Sequence, residues 1–398
     1  MTISNLNANQ NNETQHSEKS FDDIRPLKDA EVKYAIESLL KDEMFKRVVT
    51  PIIKPMSWEV FSKQLTNYHT VDQFQENVIY TIITKFIENN TKKVWLTNPL
   101  NVDMTDSHTY ISNHRDIVLD AGLFNILLFE KGVPTTEIAI GDNLLIYPWI
   151  TTLVRLNKNF IVKRGVSIRQ VIETSKHLSH YIHKTVRADK QSVWIAQREG
   201  RAKDSNDRTQ TSLLKMLALV DSKETVASIK ALNMVPLSIS YEYDPCDFLK
   251  AKEFQLKRDF ADYKKSNEDD LINMYTGIVG YKGNVCFRLG RPLNEKIDSI
   301  SDTKNKSVIL QEIANLIDEE IFKHYEFFPP NYIAYDIVNN SDKFADKYTS
   351  EEKESFITYF NNQVDKIDLE NKDEAFLKQK ITEMYANTLI NHLSVKQD

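Results

Sequence analysis

The residues best placed to do chemistry lie in Ile111-Ser112-Asn113-His114-Arg115-Asp116-Ile117-Val118-Leu119-Asp120, where an apolar run ends in a polar cluster with one histidine and two aspartates. A histidine can take a proton from a hydroxyl near neutral pH. A carboxylate beside it can fix its tautomer and stabilise the imidazolium. The same residues also read as a plain helix start, with Asp116 as the N-cap and His114 in an exposed loop. A kinase reading fails. His-Arg-Asp opens the protein-kinase catalytic loop, but that loop needs Asn five residues after its Asp. This chain has Ala121 there, no Asp-Phe-Gly follows, and Gly277, Gly280 and Gly283 lack phosphate-loop spacing.

Three further blocks follow. Gly141-Asp142-Asn143-Leu144-Leu145-Ile146-Tyr147-Pro148 continues through Arg155-Leu156 to Phe160-Ile161-Val162-Lys163-Arg164. Trp194-Ile195-Ala196-Gln197-Arg198-Glu199-Gly200-Arg201-Ala202-Lys203 runs from a strand into a charged turn. Val235-Pro236-Leu237-Ser238-Ile239-Ser240-Tyr241-Glu242 is an apolar strand with a proline near its start. Adjacent cations at a strand end can hold a phosphate, although such ends are more often simply solvated. Gly200 permits close backbone approach to a ligand, with Glu199 near enough to orient the cations.

These blocks need elements that bring them together. All nine glycines lie between Gly122 and Gly290, so the turn-rich part of the fold is central and the flanks read as helical. Strands are expected at Thr109–Ser112, Glu137–Ile140, Phe160–Lys163, Ser192–Ala196, Met234–Ser240 and Asn284–Leu289. Helices are expected at Ile117–Glu130, Asn143–Leu156 and Ser167–Val186 between the first four. That alternation predicts an α/β fold, a mostly parallel central sheet flanked by helices, with helical N- and C-terminal additions. Open sheets of this kind place their sites at the strands' carboxyl ends. The C-terminal addition is expected as Val308–His324, a break at Pro329-Pro330, and a helical run over Glu351–Leu393. The divisions are a disordered polar tail over 1–24, a helical region over 25–93, the site-bearing domain over 94–300 and a helical region over 301–398.

In this order the four blocks resemble the glycerolipid acyltransferase superfamily of the PlsC and PlsB type. Its members carry Asn-His-x4-Asp, then Gly-x-Asn-Leu…Pro…Arg-Leu…Phe-Ile-x-Arg, then Glu-Gly-x-Arg, then Val/Ile-Pro-Ile. Gly141 to Arg164 looks especially like the PlsB form, and Val285–Gly290 with Arg291-Pro292 is similar to the closing strand. The resemblance spans roughly Val94 to Leu293, about half the chain. There are two departures. The family's Asp falls five residues after His, where this chain has Leu119, so Asp120 is the favoured partner of His114 and Asp116 the alternative. Glu199-Gly200-Arg201 is one residue short of Glu-Gly-x-Arg. Aligning on Arg201 and Lys203 instead displaces Glu199.

The resemblance implies acyl transfer from acyl-CoA or acyl-carrier protein to the hydroxyl of a glycerol phosphate or lysophosphatidic acid in membrane lipid synthesis. His114 would be the general base, oriented by Asp120 or Asp116. Arg201 and Lys203, with Gly200, Glu199 and Arg164, would hold the acceptor phosphate. Leu144 and Pro148 would border an acyl-chain groove, for which Leu123–Phe129 and Leu144–Leu156 are the candidate walls. Neither a metal nor a further cofactor is required. One alternative acceptor is the hydroxyl of an N-acyl amino acid lipid. Another reading is a non-catalytic membrane-surface protein on the same fold.

Composition bounds the rest. A formal net charge of -6 argues against a broad nucleic-acid surface. Two cysteines, Cys246 and Cys286, form neither a C-x-x-C pair nor a disulfide framework, which suits a reducing cytoplasm. The apolar stretch Asn143–Val154 is interrupted by Pro148 and falls short of the ~20 residues that span a bilayer. Any contact with a membrane is therefore expected from its surface, and the resemblance implies a peripheral place on the inner face. His177, His180 and His183 recur at three-residue steps, but the last swings off the shared helix face, which disfavours a metal site.

Overall fold

Seven short strands form one sheet in the order β1-β7-β6-β2-β5-β3-β4. The computed structural model describes residues 20–165, 167–220, 224–301 and 305–395. The chain opens with α1 (Asp29–Lys41), α2 (Glu43–Ile52), α3 (Trp58–Leu65) and α4 (Val71–Phe74). A π-turn (Gln75–Tyr80) then leads to α5 (Thr81–Asn90). Next come β1 (Lys93–Thr97), β2 (Thr109–Ser112), α6 (Leu119–Glu130), β3 (Glu137–Gly141), α7 (Pro148–Leu156), β4 (Asn159–Val162), α8 (Ile168–Arg187) and β5 (Val193–Ala196). Then follow α9 (Thr211–Leu217), α10 (Thr225–Lys230), β6 (Met234–Tyr241), α11 (Asp247–Asp259), α12 (Asn267–Val279) and β7 (Asn284–Leu289). The chain closes with α13 (Asn294–Asp298), α14 (Lys306–Lys323), α15 (Pro329–Asn339), α16 (Ser350–Asp365) and α17 (Glu374–Ser394).

β2, β3, β4, β5 and β6 are parallel, so the segments that follow them emerge on one edge. β7 runs antiparallel to β6, and β1 pairs parallel with β7, so these two strands reverse the sheet's direction at one side. The α/β fold with a mostly parallel sheet flanked by helices is thus as the alternation of elements predicts. One sheet face packs Tyr110, Trp194, Leu237 and Phe287 against α6, which is apolar and buried almost all round. The other packs Ile111, Ile195 and Met234 against α8, α9 and α14. Two outlying cores belong to α1–α4 with α7 and to α11 with α15–α17.

Several expectations are corrected. Asn143–Leu156 is not one helix. A single 3₁₀ turn spans Asp142–Leu144, and the α-helix starts at Pro148, whose fixed φ and missing N–H suit a first helical position. Pro329-Pro330 likewise opens α15 instead of marking a gap, and Glu351–Leu393 is divided into α16 and α17. β1 and helices α9–α13 lie outside the expected elements: β1, α9, α10 and α13 are seven residues or shorter, and α11 and α12, at 13 residues each, carry only a weak apolar period. Of the polar tail, residues 1–19 lie outside the described residues. Ile24 is 2% exposed and joins the main core. α14 packs into that same core across the boundary drawn at residue 300.

The C-terminal core carries a buried polar cluster. Asp247, at the start of α11, accepts hydrogen bonds from the Tyr359 and Tyr385 hydroxyls at 3.0 and 2.9 Å and from the Gln363 amide. Burial raises its pKa to about 7, with the Asp244 charge adding to the effect. The folded state therefore keeps a proton that the unfolded chain releases near pH 4. The stabilisation is complete below that pH and is lost as pH rises to about 7. Asp247→Asn should remove this dependence. Its stability relative to the parent, read by denaturant unfolding, should improve by up to roughly 4 kcal/mol between pH 4 and pH 8. Parallel pH profiles would contradict this.

Candidate active site

β2 ends at Ser112 in the middle of the sheet, and the next residues leave at its carboxyl edge. Asn113 holds them in register. Its amide donates to the Ile239 carbonyl and its oxygen accepts from the Ile239 N–H, both at 2.8 Å. The strand's alternation then continues for two residues. His114 projects toward the face of Trp194, with ring centroids 5.8 Å apart and edge-to-face. Arg115 projects to the opposite face. There its guanidinium grips Asp207 through two hydrogen bonds of 3.1 and 2.6 Å. Tyr325 donates to the same carboxylate at 2.6 Å.

His114 Nδ1 lies 2.8 Å from Asp120 Oδ2, and only 13% of the histidine side chain is exposed. Asp120 Oδ2 also accepts the N–H of Arg115 at 2.6 Å and of Asp116 at 3.1 Å. Asp120 is itself in the first turn of α6, where the helix dipole favours a negative charge. With Nδ1 donating to Asp120, the lone pair is on Nε2, which makes no hydrogen bond to any described residue.

Asp116 does different work. Its Oδ1 accepts the N–H groups of Val118 and Leu119 at 2.9 and 2.7 Å, closing the turn that leads into α6, whose N-cap position is Val118. Burial, then the Asp120 charge, pushes its pKa up. Both early readings of this motif therefore hold part of the truth. A helix does start nearby, but from an N-cap at Val118 and not at Asp116, which closes the turn before it, and His114 is largely buried. That turn takes up the extra residue, which is why Asp120 reaches His114 at a spacing of six.

α12 lies across this side of the site. Gly277 meets Asp116 so closely that an added Cβ would fall 1.9 Å from Oδ2. One turn earlier, Asn273 accepts from Arg201 Nη2 at 2.9 Å. Arg201 is 8% exposed, and among the described residues its Nη1 has no hydrogen-bond partner, nor have Trp194 Nε1 and Ser112 Oγ. The Tyr241 hydroxyl is beside Asp120 and Asp116. Burial and these two carboxylates hold its pKa well above the usual range. Lys282, 1% exposed, donates to the Ile278 and Gly280 carbonyls at the end of α12, and burial lowers its pKa to about 8. Cys246 and Cys286 are buried, with pKa values pushed up to about 12, so neither is an activated nucleophile.

The other cations expected to converge do not. Lys203 is ion-paired with Glu253 of α11. Arg164 is 3.4 Å from Glu199, so Glu199 orients Arg164 and not Arg201. Gly200 turns the chain at a φ of +70°, a left-handed conformation that glycine adopts readily. Leu144 is half-buried in the 3₁₀ turn and Pro148 is exposed at the start of α7. The three histidines of α8 take separate partners: His177 pairs with Asp23, His180 with the Lys176 carbonyl and His183 with the Leu217 carbonyl. Sequence reasoning missed Asp207, Asn273, Gly277, Lys250 and Lys282. The one available signal was a glycine at position 277 inside an otherwise helical run.

A glycine-to-alanine change inside a helix ordinarily stabilises by roughly 0.5–1 kcal/mol. Gly277→Ala should do the reverse and cost about 1–3 kcal/mol in denaturant unfolding, because its Cβ must displace Asp116 or the helix. A stabilised variant would show that α12 does not press on this site.

Comparison with known proteins adds little sequence support. No family model matches the chain, and no curated protein matches it. Among solved structures, the 1-acyl-sn-glycerophosphate (LPA) acyltransferase PlsC from Thermotoga maritima aligns with 74% of this chain and 98% of its own. The identity is 12% and the TM-score 0.34, a distant likeness.

Proposed function

We propose that the protein is an O-acyltransferase that moves a fatty acyl group from a thioester to a hydroxyl at a membrane surface. The observation that carries this reading is the hydrogen bond from His114 Nδ1 to buried Asp120, which leaves Nε2 as a proton acceptor at the sheet's carboxyl edge. Nε2 takes the acceptor hydroxyl's proton as that oxygen attacks the thioester carbonyl. The tetrahedral intermediate collapses with loss of thiolate, which receives the proton from the imidazolium. The products are an ester and a free thiol, and no acyl-enzyme forms. Asp120 stabilises the imidazolium throughout.

The donor in this reading is acyl-CoA or acyl-carrier protein, and the acceptor a glycerol phosphate or lysophosphatidic acid. Arg201 is the best-supported contact for the acceptor's phosphate, since one of its buried nitrogens has no hydrogen-bond partner among the described residues. Lys203 and Arg164 would first have to leave Glu253 and Glu199. No helix among the described residues is long and apolar enough to cross a membrane. The chain would meet lipid through α2 and α3, where Met44, Val48 and Val60 are 40%, 39% and 50% exposed beside exposed Arg47 and Lys63.

The test is ester formation by purified protein. Acyl-CoA and acyl-carrier protein would each be offered with glycerol 3-phosphate, lysophosphatidic acid and an N-acyl amino acid lipid. One pair should give product, and His114→Ala should cut its rate by about 10²–10⁴ with an unchanged unfolding curve. Asp120→Asn should lose most of the rate. Asp116→Asn should lose less rate and leave the unfolding curve nearly unchanged, since an Asn oxygen can accept the Val118 and Leu119 amides as Asp does. Undiminished turnover in His114→Ala would refute the mechanism.

A further inference from the structure

The peptide joining Arg115 to Asp116 is trans and lies between two charged groups. Its N–H donates to Asp120 Oδ2 at 3.1 Å, and its carbonyl accepts from Lys250 Nζ at 3.2 Å. The N–H and C=O of a trans peptide point oppositely in one rigid plane. A cation that holds the carbonyl therefore aims the amide at Asp120. It also polarises the peptide and strengthens that donor.

Lys250 is built for this place. It is 1% exposed on α11, and its ammonium is paired with Asp244. Asp244 is in turn fixed by the C-terminal helices. Its N–H donates to the Tyr385 hydroxyl at 3.0 Å, and Tyr385 donates to Asp247 at 2.9 Å, beside Tyr359 at 3.0 Å. A chain of hydrogen bonds thus runs from α16 and α17 through Asp244, Lys250 and the Arg115 carbonyl to Asp120 and His114. The ammonium carries three donors, and the Arg115 carbonyl takes one that Asp244 does not.

We propose that Lys250, held by Asp244 and the hydroxyl cluster of the C-terminal helices, is a positioning residue that sets the Asp120–His114 pair through the Arg115 carbonyl. The inference rests on the acyl-transfer reading for its kinetic consequence but not for its structural one. Two readouts separate them: steady-state kinetics, and the imidazole ¹⁵N–¹H spectrum of histidine-labelled protein, with the His114 signal assigned by its loss in His114→Ala.

Lys250→Met should lower kcat by about ten- to a hundredfold, since sub-ångström misplacement of a catalytic group is costly. KM should change less than about threefold, and the His114 signal should shift. Lys250→Arg should recover much of both. Unchanged kcat and an unchanged His114 signal in folded Lys250→Met would overturn the proposal, as would an equal loss in the Met and Arg variants. If no donor and acceptor pair reacts, the acyl-transfer reading fails, and the His114 signal alone decides on Lys250. If Lys250→Met does not fold, Tyr385→Phe removes one oxygen from the same relay. It should shift the signal the same way with a smaller loss of kcat, and no shift would overturn the proposal.

Discussion

The carboxylate of Asp120 is the group on which the rest of the site depends. It is a fully buried charge, a costly thing to place in an apolar helix packed against a sheet. Three donors converge on one of its oxygens: the His114 ring and two consecutive amides. The dipole of α6 adds to them. Each donor has a position only because another element holds it. The loop after β2 is pinned to β6 by Asn113, the turn into α6 is closed by Asp116, and α12 packs against Asp116 at Gly277. Shifting any one of these would strand either the histidine or the charge.

The two faces of the sheet divide the labour. Continued alternation beyond β2 sends His114 to the face of Trp194 and Tyr241, where proton transfer would occur. It sends Arg115 to the face of α14, where Asp207 and Tyr325 lock it. A bidentate arginine pair, buried and joined by a tyrosine hydroxyl, is a rigid anchor because both groups would be left uncompensated if either moved. The chemistry is thus mounted on a strand end clamped from behind. The C-terminal helices act from a third direction, through Asp244 and Lys250 on the Arg115 carbonyl. This gives the helical flank, which carries no motif of its own, a physical connection to the histidine.

Much of this was legible in particular residues. The run Met234–Ser240 could be read as a strand because a central strand is apolar on both faces, and Thr109–Ser112 because it leads straight into a polar turn. His114 with Asp120 was legible because the pair is local. The turn between them is short, and the Asp116 that closes it is visible in the sequence. The convergence of cations was not. Charge alone does not say whether Lys203 faces a ligand or Glu253, fifty residues onward, and the structure gives it to Glu253. β1 was missed because a five-residue half-buried strand carries too little pattern to stand apart from a helix end.

By itself, the sequence determined most of the strands, the parallel character of the central sheet and the histidine–carboxylate pair, all of which follow from hydrophobic period, turn chemistry and short-range geometry. The tertiary structure decided that β1 and β7 reverse the sheet edge, and that Asp207, Gly277 and Lys250 meet the Arg115–Asp116 segment beside His114. Their contacts join residues tens to more than a hundred positions apart. Such contacts come from packing, which brings together side chains with no shared local signal, and only the folded arrangement of the sheet and its helices selects which of them meet.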